Sequence, residues 1–103
     1  MIELITENLG PIAELCRRHR VARLEVFGSA ARGDFVPGVS DLDFVVEFMP
    51  GGRSGFDDVY FKLRSDLEQL LERPVDLVER GCVRNAVVAA AIERGKVQVY
   101  AAA

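Results

Sequence analysis

Hydrophobic and polar positions follow two periods along this chain, and the alternation between them lays out its elements. Residues 12–19 repeat at helical spacing, with Ile12, Leu15 and Cys16 on one face and Glu14, Arg17 and Arg18 on the other. Pro11 suits the first turn of that helix. Gly10-Pro11 argues against one continuous helix from the start, so residues 2–9 are expected as a separate short turn. Residues 23–27 alternate at period two and predict a strand. A helical turn over 30–33, a loop over 35–39 and a second strand over 41–48 follow. Pro50-Gly51-Gly52 marks residues 49–55 as a flexible stretch. The longest helix is predicted over 56–73, capped by Ser54 or Asp57, with Phe61, Leu63, Leu67, Leu70 and Leu71 as its inner stripe. A third strand over 75–79, a helix over 83–94 ended by Gly95, and a last strand over 96–100 complete the order, leaving 101–103 as a frayed end. These elements predict an α/β or α+β domain: a mixed β-sheet with helices packed mainly on one face.

Composition narrows the function classes. The 103 residues fit one domain, and 50% hydrophobic with 28% charged residues is globular rather than disordered composition. A net charge of −3 gives no overall attraction to nucleic acid or to an anionic membrane. Cys16 and Cys82 stand far apart without a C-x-x-C spacing, which argues against zinc and against a disulfide framework, so both are expected as buried free thiols. No apolar run approaches the roughly 20 residues of a membrane span, and no signal-peptide pattern opens the chain, so a cytoplasmic location is expected.

The chemistry concentrates in one segment. Gly28-Ser29-Ala30-Ala31-Arg32-Gly33-Asp34 leads into Ser40-Asp41-Leu42-Asp43-Phe44. On a strand, positions i and i+2 share a face, so Asp41 and Asp43 stand side by side while Leu42 and Phe44 enter the core. Like charges that close disfavour joint ionisation, and a cation relieves them. Hard carboxylate oxygens suit Mg²⁺, which takes one or two of them together with substrate phosphates. Upstream, a Gly-Ser turn leaving a strand offers backbone N–H groups to phosphate oxygens. Arg32 is either a contact to a triphosphate or an ion-pair partner of Asp34. Ser40 positions the turn before the second strand. His19, among arginines at a helix C-terminus, is accounted for by the helix dipole without an RNA-binding role.

This constellation resembles the glycine-serine, spacer, Asp-x-Asp signature of the nucleotidyltransferase superfamily related to DNA polymerase beta. It is most similar to the minimal nucleotidyltransferases, which act as antitoxins beside a small helical HEPN toxin. That pattern asks for a third carboxylate on a later strand, and Arg73-Pro74-Val75-Asp76-Leu77-Val78 supplies it at Asp76. The resemblance is carried by residues 24–78 and extends over nearly the whole chain, with a departure where relatives often carry Asn-Pro-Tyr and this chain has Asn85-Ala86-Val87.

The resemblance implies a nucleotidyltransferase with ATP as substrate and two Mg²⁺ ions. Asp41, Asp43 and Asp76 would be metal-binding and catalytic, with Gly28, Ser29 and Arg32 on the nucleotide. The implied acceptor is a hydroxyl, a tyrosine of a HEPN ribonuclease toxin, in a heteromeric complex without direct nucleic-acid binding. The apolar excess of the 83–92 helix adds a possible homo-oligomer or partner contact. Two alternatives stay open: a non-catalytic antitoxin that occludes its partner, and an aminoglycoside-type enzyme acting on a small molecule.

Overall fold

The computed structural model describes residues 1–50 and 58–102. Helices α1 (Glu3–Thr6) and α2 (Leu9–Arg18) precede strand β1 (Val21–Phe27) and the one-turn helix α3 (Ser29–Arg32). Strand β2 (Leu42–Phe48), helix α4 (Asp58–Leu71), strand β3 (Val75–Glu79), helix α5 (Ala86–Gly95) and strand β4 (Val97–Ala101) follow, with a 3₁₀ turn at Arg80–Cys82. The sheet order is β3-β2-β1-β4. β1 is antiparallel to both β2 and β4, whereas β2 and β3 are parallel, joined by α4. The sheet is therefore mixed, as the element order predicts. α2 lies against β1, β4 and α4, and α4 also packs on β3.

The core forms between those helices and one face of the sheet. Leu24 and Val26 of β1 pair with Val46 and Phe44 of β2, and all four are fully buried. Ile12 and Cys16 of α2 meet them with Leu63, Leu67 and Leu71 of α4. Period-two alternation sends Arg23, Glu25 and Phe27, with Asp43, Val45 and Glu47 opposite, to the other face. Burial pushes the Cys16 thiol up to about 12, so it behaves as a small hydrophobe. Cys82 is exposed, against the expectation that both thiols are buried.

Three boundaries and one face assignment differ from the sequence reading. The helical break falls at Glu7-Asn8, and α2 runs through Gly10-Pro11 because Pro11 sits in its first turn, where an N–H has no intrahelical acceptor. Phe61 is 60% exposed and is not part of the inner stripe. Tyr60 packs against the core in its place, at the i, i+3, i+7 spacing of Leu63 and Leu67. α5 starts at Ala86 rather than at 83, because Asn85 caps it: its Oδ1 accepts from the N–H of Val87 at 2.8 Å and of Val88 at 3.2 Å. Ala101 is not frayed: it pairs with Arg23, and the N–H of Ala102 donates to the Ala22 carbonyl at 2.8 Å. The 51–55 part of the Gly-rich stretch and both suggested caps, Ser54 and Asp57, lie outside the described residues.

Candidate nucleotide and metal site

The C-terminus of β1 and the N-termini of β2 and β3 meet at one end of the sheet, and the conspicuous residues of the chain gather there. Asp43 is paired across the antiparallel ladder with Phe27 and across the parallel one with Asp76. Adjacent strands lie about 4.8 Å apart, so two carboxylates in register on one face are close neighbours. Their face is the one turned away from α2 and α4, because Leu42, Phe44, Val75 and Leu77 are spent on the core. Asp41 is exposed and stands immediately before β2.

Gly28 brings the phosphate-type turn onto this cluster. Its φ of 69° and ψ of −151° belong to a region that only glycine occupies readily. A Cβ at this position would overlap Asp43 Oδ2 and come within 3.3 Å of Cγ. The turn and the carboxylate are thus in direct contact. Past Gly28 the chain enters α3, where the N–H groups of Ala31 and Arg32 both donate to the Gly28 carbonyl at 3.1 Å. The Ser29 and Ala30 N–H groups make no hydrogen bond to a described residue. Ile2 anchors the turn through an N–H bond to the Ala30 carbonyl at 3.0 Å.

Electrostatics mark Asp43 as the strained member. Its carboxyl is raised from the ordinary 3.8 to about 6, first by burial and then by the charges of Asp76 and Asp41, against a lowering by Arg32. All three acidic residues therefore act on one field. No hydrogen bond or ion pair joins the side chains of Asp41, Asp43 or Asp76 to another described residue. Among the described residues, however, no three acidic, His or Cys side chains are already gathered around a point that could hold an ion. The donor set still fits Mg²⁺, which needs one or two carboxylates and completes its shell with water and phosphate oxygens.

Of the two roles considered for Arg32, the contact with Asp34 is the one formed. Its exposed guanidinium contacts Asp34, Nε to Oδ2 at 3.4 Å, and its charge also reaches Asp43. Ser40 Oγ accepts the Val36 N–H at 3.0 Å and so shapes the loop before β2, as expected. His19 is held by Asp66 of α4 at 2.7 Å, a helix-to-helix tie that the dipole argument did not anticipate. Sequence reasoning also missed Glu25, which is only 5% exposed. Arg80 bonds it directly, and Lys96 approaches at 3.5 Å. The sole local signal was an acidic residue between Leu24 and Val26. A cavity of about 390 Å³ between Val46, Met49, Glu79 and Arg80 lies at the opposite end of β2 and β3 and is separate from the carboxylates.

Residues 12–98 match the family model described as a nucleotidyltransferase domain. The chain belongs to that family. A provisionally assigned minimal nucleotidyltransferase of known structure is 32% identical, with 93% of this chain and 95% of that one covered and a TM-score of 0.72. A toxin–antitoxin complex with AMP-PNP is 22% identical over 92% of this chain and 74% of that one, with a TM-score of 0.73. The complex of a tri-AMPylated HEPN toxin with its MNT antitoxin from Shewanella oneidensis is 19% identical, covering 95% and 73%, with a TM-score of 0.67. The last two likenesses are likenesses of fold. Comparison with curated protein sequences gives no match. For this nucleotidyltransferase, no helix among the described residues is long and apolar enough to cross a membrane.

Proposed function

We propose that this nucleotidyltransferase transfers AMP from ATP to a hydroxyl, a tyrosine of a cognate HEPN ribonuclease toxin, and acts as its antitoxin in the cytoplasm. One observation carries the reading: a half-buried Asp43, with no ion-pair partner among the described residues, lies between the Gly28 turn and Asp76, its register partner. Two like charges and a phosphate-type turn in contact call for a cation and a polyphosphate together. The toxin-complex neighbours support the choice of partner, and the AMP-PNP in one of them supports the choice of nucleotide.

In this reading Asp41, Asp43 and Asp76 would hold the Mg²⁺ ions, two by the family resemblance. When bound, Mg²⁺ offsets the charge that builds on the phosphate oxygens and acidifies a coordinated oxygen. Gly28 and Ser29 hold the β- and γ-phosphates through backbone N–H groups, and Arg32 adds positive charge at the rim. The acceptor oxygen forms its bond to the α-phosphorus as the bond from that phosphorus to the β-phosphate oxygen breaks. AMP passes to the acceptor, pyrophosphate leaves, and Asp76 takes the acceptor's proton.

Incubation with labelled ATP, Mg²⁺ and the protein encoded beside it tests the proposal. Label appears on the partner with wild type and is lost with Asp43→Ala. Equal labelling by both proteins refutes the role of Asp43, and none by either refutes transfer. A double Asp41→Ala/Asp43→Ala variant that silences the partner fully would establish occlusion instead.

A further inference from the structure

Among the described residues β3 is an edge strand of five residues, paired with β2 alone, yet it carries Asp76. The N–H of Leu42 donates to the Pro74 carbonyl at 3.0 Å, so the backbone groups of Pro74 and Asp76 point toward β2. By strand parity those of Val75 and Leu77 point outward, one on each side of Asp76. Both outward positions are occupied, and both by α4. Glu68 Oε2 accepts the Val75 N–H at 3.0 Å, and the Tyr60 hydroxyl donates to the Leu77 carbonyl at 2.6 Å. The two bonds are part-buried. They bind the backbone on each side of Asp76 to a 14-residue helix that Leu63, Leu67 and Leu71 fix in the core.

We infer that Tyr60 and Glu68 are positioning residues for the metal site. Repulsion between Asp43 and Asp76 acts to peel or shear the edge strand at this register, and among the described residues β3 has no outer neighbour strand to resist it. The helix supplies that resistance through one acceptor and one donor. Neither residue touches the site itself. The inference rests on the reading of Asp43 and Asp76 as metal ligands, since without a metal the same bonds would only cover an open sheet edge.

Mn²⁺ binding followed by electron paramagnetic resonance, with no nucleotide or partner present, reads the effect directly. Variants Tyr60→Phe, Glu68→Ala and Glu68→Gln are compared with wild type and Asp43→Asn. Outer-shell groups typically tune metal affinity by 10- to 100-fold, so about tenfold weaker binding is expected for Tyr60→Phe and Glu68→Ala. Glu68→Gln keeps an oxygen that accepts the Val75 N–H, and binding returns to near wild type. Hydrogen exchange at the Val75 amide accelerates in Glu68→Ala but not in Glu68→Gln. If Glu68→Ala does not fold, Tyr60→Phe and Glu68→Gln decide the matter. Affinity within about twofold of wild type for Tyr60→Phe, or a Glu68→Gln loss as deep as tenfold, overturns the inference. Wild-type binding that Asp43→Asn leaves unchanged sinks the metal reading itself, a separate outcome.

Discussion

Replacing Gly28 with alanine tests the contact on which the site is built. Two penalties arise from the structure. The backbone at φ 69° and ψ −151° is a conformation that costs a side-chain-bearing residue about 1–3 kcal/mol. For a domain of this size that lowers Tm by roughly 5–15 °C. The second penalty falls on Asp43. The new methyl overlaps Oδ2 and is tight against Cγ at 3.3 Å, while Cβ at 3.5 Å is ordinary contact, so the carboxylate must rotate and shift slightly to relieve the clash. That rotation moves a ligand oxygen by roughly 1 Å, a displacement that costs about 10²-fold in rate. Gly33→Ala is the control. Gly33 also has a positive φ, 95°, but a Cβ there meets nothing within 4 Å. It should lose about 1–2 kcal/mol of stability and retain transfer. Thermal unfolding and the labelled-ATP assay, run on both variants, separate backbone strain from collision. Transfer by Gly28→Ala within about threefold of wild type would refute the claim that this turn presses on a working carboxylate.

Asp43 gives a pH prediction. Its folded value of about 6 lies above the ordinary 3.8, so the native state binds the proton more tightly than the unfolded chain does, and stability falls as pH rises from about 4 to 6. Without metal, Asp43→Asn should therefore be more stable than wild type at pH 7, by about 1 kcal/mol after allowing for solvent screening. The gain should vanish below pH 4, and Mg²⁺ should raise Tm in wild type only; thermal melts with and without chelator check both. Leu67→Ala should cost about 2–5 kcal/mol, whereas Phe61→Ala should stay within about 0.5 kcal/mol, as urea unfolding would measure. Arg80→Ala leaves the buried Glu25 with Lys96 as its one cationic partner among the described residues and should cost about 2–3 kcal/mol by the same measurement, less than full loss of a buried partner.

Much of this molecule was legible in its local patterns. The strand readings, one of them carried by period-two alternation, located the four described strands to within two residues, and the i, i+2 spacing of Asp41 and Asp43 announced a paired-carboxylate site next to a Gly-Ser turn. Those features depend on neighbours in sequence, which fix the face a side chain takes and the bend a glycine permits. The tertiary structure decided the rest. Only strand pairing sets Asp76 against Asp43, because parallel register is chosen by packing through α4 and not by either strand alone. Periodicity places both Tyr60 and Phe61 near the edge of an apolar stripe, and the Leu77 carbonyl at hand selects the residue with a hydroxyl. Glu25 looks like any strand carboxylate until Arg80, 55 residues onward, is brought over it. Local sequence encodes the orientation of each element; which elements become neighbours is a property of the packed core, and the site belongs to the neighbours.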